Sequence, residues 1–305
     1  MCTGKKILFL LSAFFSSFLL VTPSNAQTIP EVPAQYGEII YRFNEKNPSQ
    51  IFIIGIGHRD ALTCRNGENT SRVQAEIYKI GDWLIHHQGV ELVLPEGFFK
   101  NPSANIEKKN FNVPERGSSC APIQMAVLEK RLSDNKIYVN AEMLLKENHS
   151  LRLRQIEDEA LYQATNHLLK LASSPEGSGN DSLLTSELKY LHEKKTAVML
   201  QKIPQIVNDE LRQGNIKSKK AIFTIGMAHL YEIITSLSEK RIKIHAPLWA
   251  SNGSGDYTAE LNLQKENFGV SVIVPRTLVN DQKTLEITKL NDIVKKVGAT
   301  PLILP

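Results

Sequence analysis

Two stretches of the chain carry an apolar run into a glycine turn that is followed by a histidine. The first is IFIIGIGHRD, in which His58 follows the run. The second is AIFTIGMAHLYE, in which His229 follows at the same Gly-x-x-His spacing. Short apolar runs that end at glycine are typical of buried strands. We therefore expect two core strands that end in tight turns, where glycine permits positive φ and close approach of the backbone.

A helical pattern and a third apolar run lie between these two stretches. Residues 71–88 place four apolar side chains on one helical stripe, namely Val73, Ile77, Ile80 and Leu84, and Gly89 follows as a stop. The run VELVLPEG, residues 90–97, then predicts a strand. The order strand, helix, strand favours parallel pairing with the helix packed on the sheet. The predicted fold class is α/β, with a mixed sheet and flanking helices.

The later part of the chain adds further elements. KIYVNAE, Lys136 to Glu142, is predicted to be a strand, and a mostly helical central insertion is expected over about residues 143–218. The segments RIKIHAPL and GVSVIVPR are predicted to contain strands. A single last helix is expected over residues 285–297.

The first 26 residues have the order of a secretory signal peptide. Lys5 and Lys6 precede an apolar run of 15 residues from Ile7 to Val21, and Ser24-Asn25-Ala26 follows as a small-x-small cleavage site. The run is shorter than the ~20 residues that a membrane-spanning helix needs. We expect cleavage after Ala26 and an exported product, periplasmic or secreted, that begins at Gln27. An uncleaved membrane anchor is the alternative.

Charge and cysteine content limit the partners of the mature chain. Removal of Lys5 and Lys6 lowers the formal net charge from +4 to +2, which gives no argument for nucleic acid as a partner. No second apolar segment approaches membrane-spanning length, so no stable membrane span is expected after cleavage. Cys64 and Cys120 remain, and export favours a disulfide between them over two free thiols.

Four predicted strands each deliver a histidine or a glutamate near the carboxyl end. These residues are His58, Glu96, Glu142 and His229. Ligands of open α/β sheets bind outside the carboxyl ends of the strands, so we expect the four side chains to line one crevice. Taken singly, each also has a structural interpretation, as a turn histidine or as a carboxylate that caps the next helix. His245, at the end of RIKIH, is a further candidate.

Two imidazoles with a carboxylate suit a divalent transition metal such as Mn, Co or Zn. His58, Glu96 and His229 are the predicted catalytic residues and metal ligands, with Glu142 as a supporting ligand. A bound metal lowers the pKa of water so that it can attack at neutral pH. Alternatively, one histidine acts as a general base beside an acidic partner, without metal. The sequence contains no HExxH, Gly-x-Ser-x-Gly or Walker motif, which disfavours zincins, α/β-hydrolases and P-loop NTPases.

These motifs together resemble the TraB/GumN/TIKI superfamily, from about Glu38 to Leu248. The family's motifs are matched here by Gly55-Ile56-Gly57-His58, by Leu94-Pro95-Glu96-Gly97 and by Gly226-Met227-Ala228-His229, and its further acidic residue by Glu142. The chain departs from the family in two places. Glu193-Lys194-Lys195 stands nearest to the family's Arg-Asn pair, and Leu230-Tyr231-Glu232 replaces a glycine-rich continuation.

The resemblance implies a single α/β domain over residues 27–305, related to the erythromycin esterase and ChaN-like groups. Animal TIKI proteins are metal-dependent proteases, TraB-type relatives act on or sequester small peptide pheromones, and ChaN-like relatives bind haem. Three hypotheses follow. The first is an exported metal-dependent hydrolase, most simply a peptidase, that acts on a peptide or small-molecule substrate. The second is a non-catalytic protein that sequesters a peptide or haem. The third is a metal-free, esterase-like hydrolase with a histidine base.

Overall fold

A computed structural model describes residues 31–57, 69–97, 124–132, 140–172, 181–250 and 256–298. The predicted signal peptide lies outside the described residues, as do His58, Cys64 and Cys120. The expected cleavage after Ala26 and the expected disulfide therefore stay predictions. Within the described part of the chain, no helix is long and apolar enough to cross a membrane.

Strands and helices alternate along the described chain, and the predicted α/β class is confirmed. The strands are β1 Gly37–Phe43, β2 Gln50–Ile56, β3 Leu92–Pro95, β4 Arg152–Leu153, β5 Lys220–Gly226, β6 Arg241–Ile244, β7 Tyr257–Glu260 and β8 Gly269–Pro275. The helices are α1 Thr70–Gln88, α2 Met125–Leu132, α3 Ala141–His149, α4 Glu159–Ala172, α5 Asp181–Arg212, α6 Leu230–Glu239, α7 Asn262–Lys265, α8 Arg276–Val279, α9 Gln282–Ile287 and α10 Leu290–Lys296.

The main sheet is mixed and has six strands in the order β1-β8-β2-β5-β3-β4. Its interior pairs are parallel, and β1 joins the edge antiparallel to β8. Every residue of β2 and β8 is buried, as expected for strands that are covered on both faces. The strands β6 and β7 form a separate antiparallel pair.

Helix α1 forms for the reasons that its sequence indicates. Its predicted apolar stripe is buried, with Val73, Ile77, Ile80 and Leu84 at most 1% exposed. The helix ends where Gly89 adopts φ 66° and its N–H donates to the Ile85 carbonyl, a left-handed cap that glycine accepts without steric cost. The prediction for residues 71–88 is therefore confirmed to within one residue.

The expected strand over Lys136 to Glu142 is wrong at its described end. The side chain of Asn140 caps α3 by accepting a hydrogen bond from Met143 N at 3.0 Å, and Glu142 lies in the first helical turn. Asparagine is a strong N-cap residue, and a carboxylate in the first turn suits the helix dipole. The capping signal therefore outweighs the apolar run before it.

The central part of the chain is mostly helical, as predicted, with α4 and α5 as its main elements. It also contains the two-residue strand β4, which the sequence did not indicate and which pairs with β3. Arg152 and Arg154 anchor this short strand to α5, because both form ion pairs with the fully buried Glu210. The expected last helix over 285–297 is instead two helices, because Lys289 adopts φ 52° between α9 and α10.

Gly55 allows β2 to pack closely against the turn that contains His229. A Cβ atom on Gly55 would lie 2.6 Å from Met227 Sδ and 2.8 Å from Leu230 Cδ1. The expected positive φ is not found at this glycine, and Gly226 has φ −54°. Close approach is therefore the reason for glycine at position 55.

The Gly55→Ala variant should lower the free energy of unfolding by about 1–3 kcal/mol, because the added methyl forces Met227 and Leu230 to move. Gly57→Ala is the matched control, since its Cβ would lie 3.9 Å from the nearest side-chain atoms. Urea denaturation of both variants measures the difference. Equal stability of the two variants would contradict the close-approach explanation.

Candidate functional site

Three adjacent parallel strands end at one edge of the sheet. Strand β5 lies between β2 and β3, with Ile56 paired to Gly226 and Pro95 paired to Thr224. Glu96 directly follows β3, and His229 lies three residues beyond the end of β5. The structure brings these two predicted site residues together, with His229 Nε2 3.2 Å from Glu96 Oε1.

The other two predicted site residues stand differently. His58 lies outside the described residues, although the chain leading to it is described as far as Gly57 at the same sheet edge. Glu142 comes from helix α3, and its Oε1 accepts a hydrogen bond from Thr224 Oγ1 at 2.6 Å. Its expected origin at a strand end is therefore wrong, and its described hydrogen bond connects it to β5.

The Glu96 carboxylate is fixed by donors on both oxygens. Gly226 N donates to Oε2 at 2.6 Å, and Lys195 Nζ donates to Oε1 at 2.7 Å. The side chain is only 6% exposed. The backbone also contributes, because Glu96 N donates to the Thr224 carbonyl at 2.9 Å. Glu96 is therefore held in one orientation by β5 and α5 together.

Lys195 lies between two buried carboxylates. Its Nζ is 2.7 Å from Glu96 Oε1 and 2.8 Å from Glu157 Oε1. Burial by itself would lower the pKa of Lys195, but the two carboxylates outweigh it and raise the pKa. Burial raises the pKa of Glu157, although Lys195 and a 2.7 Å hydrogen bond from Gly97 N oppose that change. One ammonium group thus faces two carboxyl groups.

His229 is buried, and the hydrogen bonds around it select one tautomer. Thr196 Oγ1 donates its single proton to the His192 carbonyl at 2.9 Å, and the same oxygen lies 2.6 Å from His229 Nδ1. With the hydroxyl proton on that carbonyl, Nδ1 is the donor in the contact with Thr196. Burial lowers the pKa of His229, against the opposing charge of Glu96, and favours the neutral ring. The neutral ring then presents the lone pair of Nε2 to Glu96.

A second histidine holds the ring plane of His229. His192 stacks on it with 3.9 Å between ring centroids and 8° between planes. His192 is itself placed by contacts of Nε2 with the Ala228 carbonyl at 3.2 Å and with Glu232 Oε2 at 3.6 Å. Helix α5 therefore supplies three residues around the sheet edge, namely His192, Lys195 and Thr196.

The pair formed by Glu96 and His229 fits a divalent metal in spacing and in ligand type. Ligand atoms at ~2.0–2.1 Å from a tetrahedral ion lie roughly 3.3 Å apart, close to the 3.2 Å between His229 Nε2 and Glu96 Oε1. Metal-bound histidines commonly donate the other ring N–H to a fixed acceptor. Thr196 Oγ1 is in the position of such an acceptor for His229 Nδ1. One imidazole and one carboxylate are also ligand types that divalent transition metals accept.

The sequence analysis gave no site role to Lys195, Glu157, Thr196 or His192, although Lys195 lies in the segment nearest to the family's Arg-Asn pair. For Lys195 a signal existed, because it lies four residues from Leu191 and four from Met199, both buried in the same stripe of α5. A lysine in an apolar stripe indicates a buried partner. Glu157 precedes α4 in irregular chain, and no sequence pattern distinguishes it.

His245 is paired with a different acid. Its Nδ1 lies 2.9 Å from Glu193 Oε1, and its backbone N donates to Glu193 Oε2 at 2.7 Å. The His245 side chain is half exposed, whereas Glu193 is buried. These contacts join the end of β6 to α5 and give His245 a structural role.

Comparison with known proteins adds no assignment: no family model, no curated protein and no solved structure matches this chain. The resemblance to the TraB/GumN/TIKI superfamily rests on its short motifs and stays a prediction.

Proposed function

We propose that the protein is an exported metal-dependent hydrolase that cuts a peptide or amide bond. Glu96 and His229 hold the ion, and His58 is the third ligand. The observation that carries the proposal is the contact between His229 Nε2 and Glu96 Oε1, 3.2 Å apart in a buried site. With the Nδ1 proton directed to Thr196, the lone pair of His229 Nε2 faces a carboxylate oxygen of Glu96.

Two facing lone pairs need a positive charge between them. An extra proton on His229 is one solution, but burial lowers the pKa of His229 and works against it. A divalent cation is a second solution, and it matches the donor set of one imidazole and one carboxylate. The Lys195 ammonium on Glu96 Oε1 is a third source of positive charge. The same logic gives Thr196 a positioning role, because it fixes which ring nitrogen carries the proton.

A bound ion would activate water and polarise the scissile carbonyl. The residues of the chain provide the rest of the site. Gly226 N and Lys195 Nζ hold the Glu96 carboxylate in place, and His192 holds the plane of His229. Lys195 and Glu157 form an ion pair at 2.8 Å, which keeps the ammonium beside Glu96 and limits the negative charge there. The side chains are thus fixed before substrate binds, which favours catalysis.

A metal-free hydrolase with a histidine base is the second candidate. It is favoured by the Lys195 ammonium, which already contacts the Glu96 oxygen that a metal would use. In this mechanism the Lys195 ammonium compensates the charge of the Glu96 carboxylate, and His229 Nε2 accepts a proton from the attacking water. The two candidates share the same residues and differ in their response to chelation.

Peptide-library cleavage tests whether the site performs hydrolysis. The mature protein should generate new peptide termini that mass spectrometry detects, and Glu96→Gln should not, because the amide removes the anionic ligand. His245→Gln is the control, since His245 pairs with Glu193 on another part of α5. Retention of peptide by the folded wild-type protein without any cleavage would contradict the proposal and would favour the non-catalytic binding protein.

A further inference from the structure

A second group of metal-ligating side chains lies where α1 and α3 end. His149 Nε2 is 2.8 Å from Asp82 Oδ1, and His86 Nδ1 is 3.4 Å from the same oxygen. The three ligand atoms lie within 4.8 Å of one another. Asp82 and His86 belong to α1 at i, i+4 spacing, which places them on one face of the helix, and His149 is the last residue of α3.

The rings are arranged around the Asp82 carboxylate. His86 and His149 meet edge to face, with 5.3 Å between centroids and 84° between planes. His149 Nε2 is buried, and despite its short distance to Asp82 it makes no hydrogen bond of acceptable geometry within the described residues. The nitrogen is therefore close to the carboxylate oxygen but is not aligned with it, as two ligands of a common ion would be.

Both helices present their carboxyl ends here. Gly89 caps α1 and Ser150 caps α3, each in the left-handed conformation. Helix carboxyl ends carry partial negative charge and favour a cation. Ligand atoms of a tetrahedral zinc ion lie roughly 3.3 Å apart, and His149 Nε2 lies 2.8 Å from Asp82 Oδ1. His86 Nδ1 contacts the Asp82 backbone carbonyl at 2.8 Å, so the ring offers its Nε2 to the ion. Charge and spacing therefore agree.

We propose that Asp82, His86 and His149 form a divalent transition-metal site that ties the end of α1 to the end of α3. Two imidazoles with one carboxylate suit Zn²⁺, with water completing the coordination. Helix α1 packs on the sheet through its apolar stripe. Helix α3 contacts the sheet at its other end, where Glu142 accepts a hydrogen bond from Thr224 of β5. The ion would fix these two helices relative to each other and stabilise the fold. This site does not depend on the proposed hydrolase function.

Zinc titration of the tag-free mature protein tests the site by isothermal calorimetry. The measurement is made in a His229→Gln background, so that the sheet-edge site does not contribute. One equivalent of Zn²⁺ should bind, and the midpoint of thermal unfolding should rise with zinc concentration, because the ion binds only the folded state. His149→Gln and His86→Gln should each abolish that binding event and the thermal shift.

His87→Gln is the matched control for this experiment. His87 neighbours His86, but its ring stacks on Trp83 and it belongs to no cluster of metal-ligating side chains among the described residues. The His87→Gln variant should still bind one equivalent of Zn²⁺ and show the same thermal shift. His86 is largely exposed, so its glutamine variant reports on binding even where His149→Gln folds poorly. Zinc binding that survives His86→Gln, or no zinc binding in the parent protein, would overturn the proposal.

Discussion

Replacement of His229 is expected to abolish hydrolysis, with kcat/KM falling by roughly three or more powers of ten. His229 supplies Nε2 to the proposed metal and is the histidine that contacts Glu96. The His229→Ala variant would also remove a buried ring that stacks on His192 and would leave a cavity. His229→Gln is the better variant, because it retains much of the side-chain volume while removing the imidazole.

The measurement is activity per folded molecule, with the folded fraction taken from circular dichroism. His167→Gln serves as a control, because His167 lies on α4, whose described residues include none that is buried. A structural role for His229 would give the opposite pattern, with lower stability and full activity per folded molecule. That result would remove His229 from the catalytic residues.

Replacement of Lys195 by methionine is expected to lower the free energy of unfolding by about 3–5 kcal/mol, the usual cost of removing one partner from a buried ion pair. The ammonium is shared by Glu96 and Glu157, whose side chains are 6% and 0% exposed. Without it, two buried carboxylates face each other and one must take up a proton. Chemical denaturation of the purified variant measures the loss.

Lys194→Met is the matched control, because Lys194 is the adjacent residue and contacts only the Tyr190 hydroxyl and ring among the contacts described for it. It should change stability little. Adding Glu157→Gln to Lys195→Met should restore part of the lost stability, since the second carboxylate is then neutral. A Lys195→Met variant as stable as the wild type would show that the ammonium does not compensate these acids.

The sheet edge could be predicted because its signals are local. Apolar runs that end at glycine located β2 and β5, and the strand–helix–strand order predicted parallel pairing. Parallel strands place their carboxyl ends at one edge, and this rule was sufficient to bring Glu96 and His229 together. The 3.2 Å contact follows from topology more than from any motif.

The surroundings of that contact could not be predicted in the same way. Lys195 and Thr196 come from α5 and Glu157 from irregular chain, and only tertiary packing brings them to the sheet edge. Glu142 was expected at a strand end because the apolar run KIYV favours a strand, whereas Asn140 caps a helix that contains Glu142. Local patterns determine where elements end, whereas the partners of a buried charge depend on elements far apart in sequence.

The most direct test of the metal-held site is the hydrolytic activity of the protein after chelation and dialysis. The His86→Gln variant is used, so that the proposed metal site between α1 and α3 does not influence the result. We expect activity to fall to background and to return when Mn²⁺, Co²⁺ or Zn²⁺ is supplied, whereas the same protein with His229→Gln should not recover with any of the three. Full activity after metal removal would contradict the metal-dependent mechanism and would favour His229 as a metal-free base.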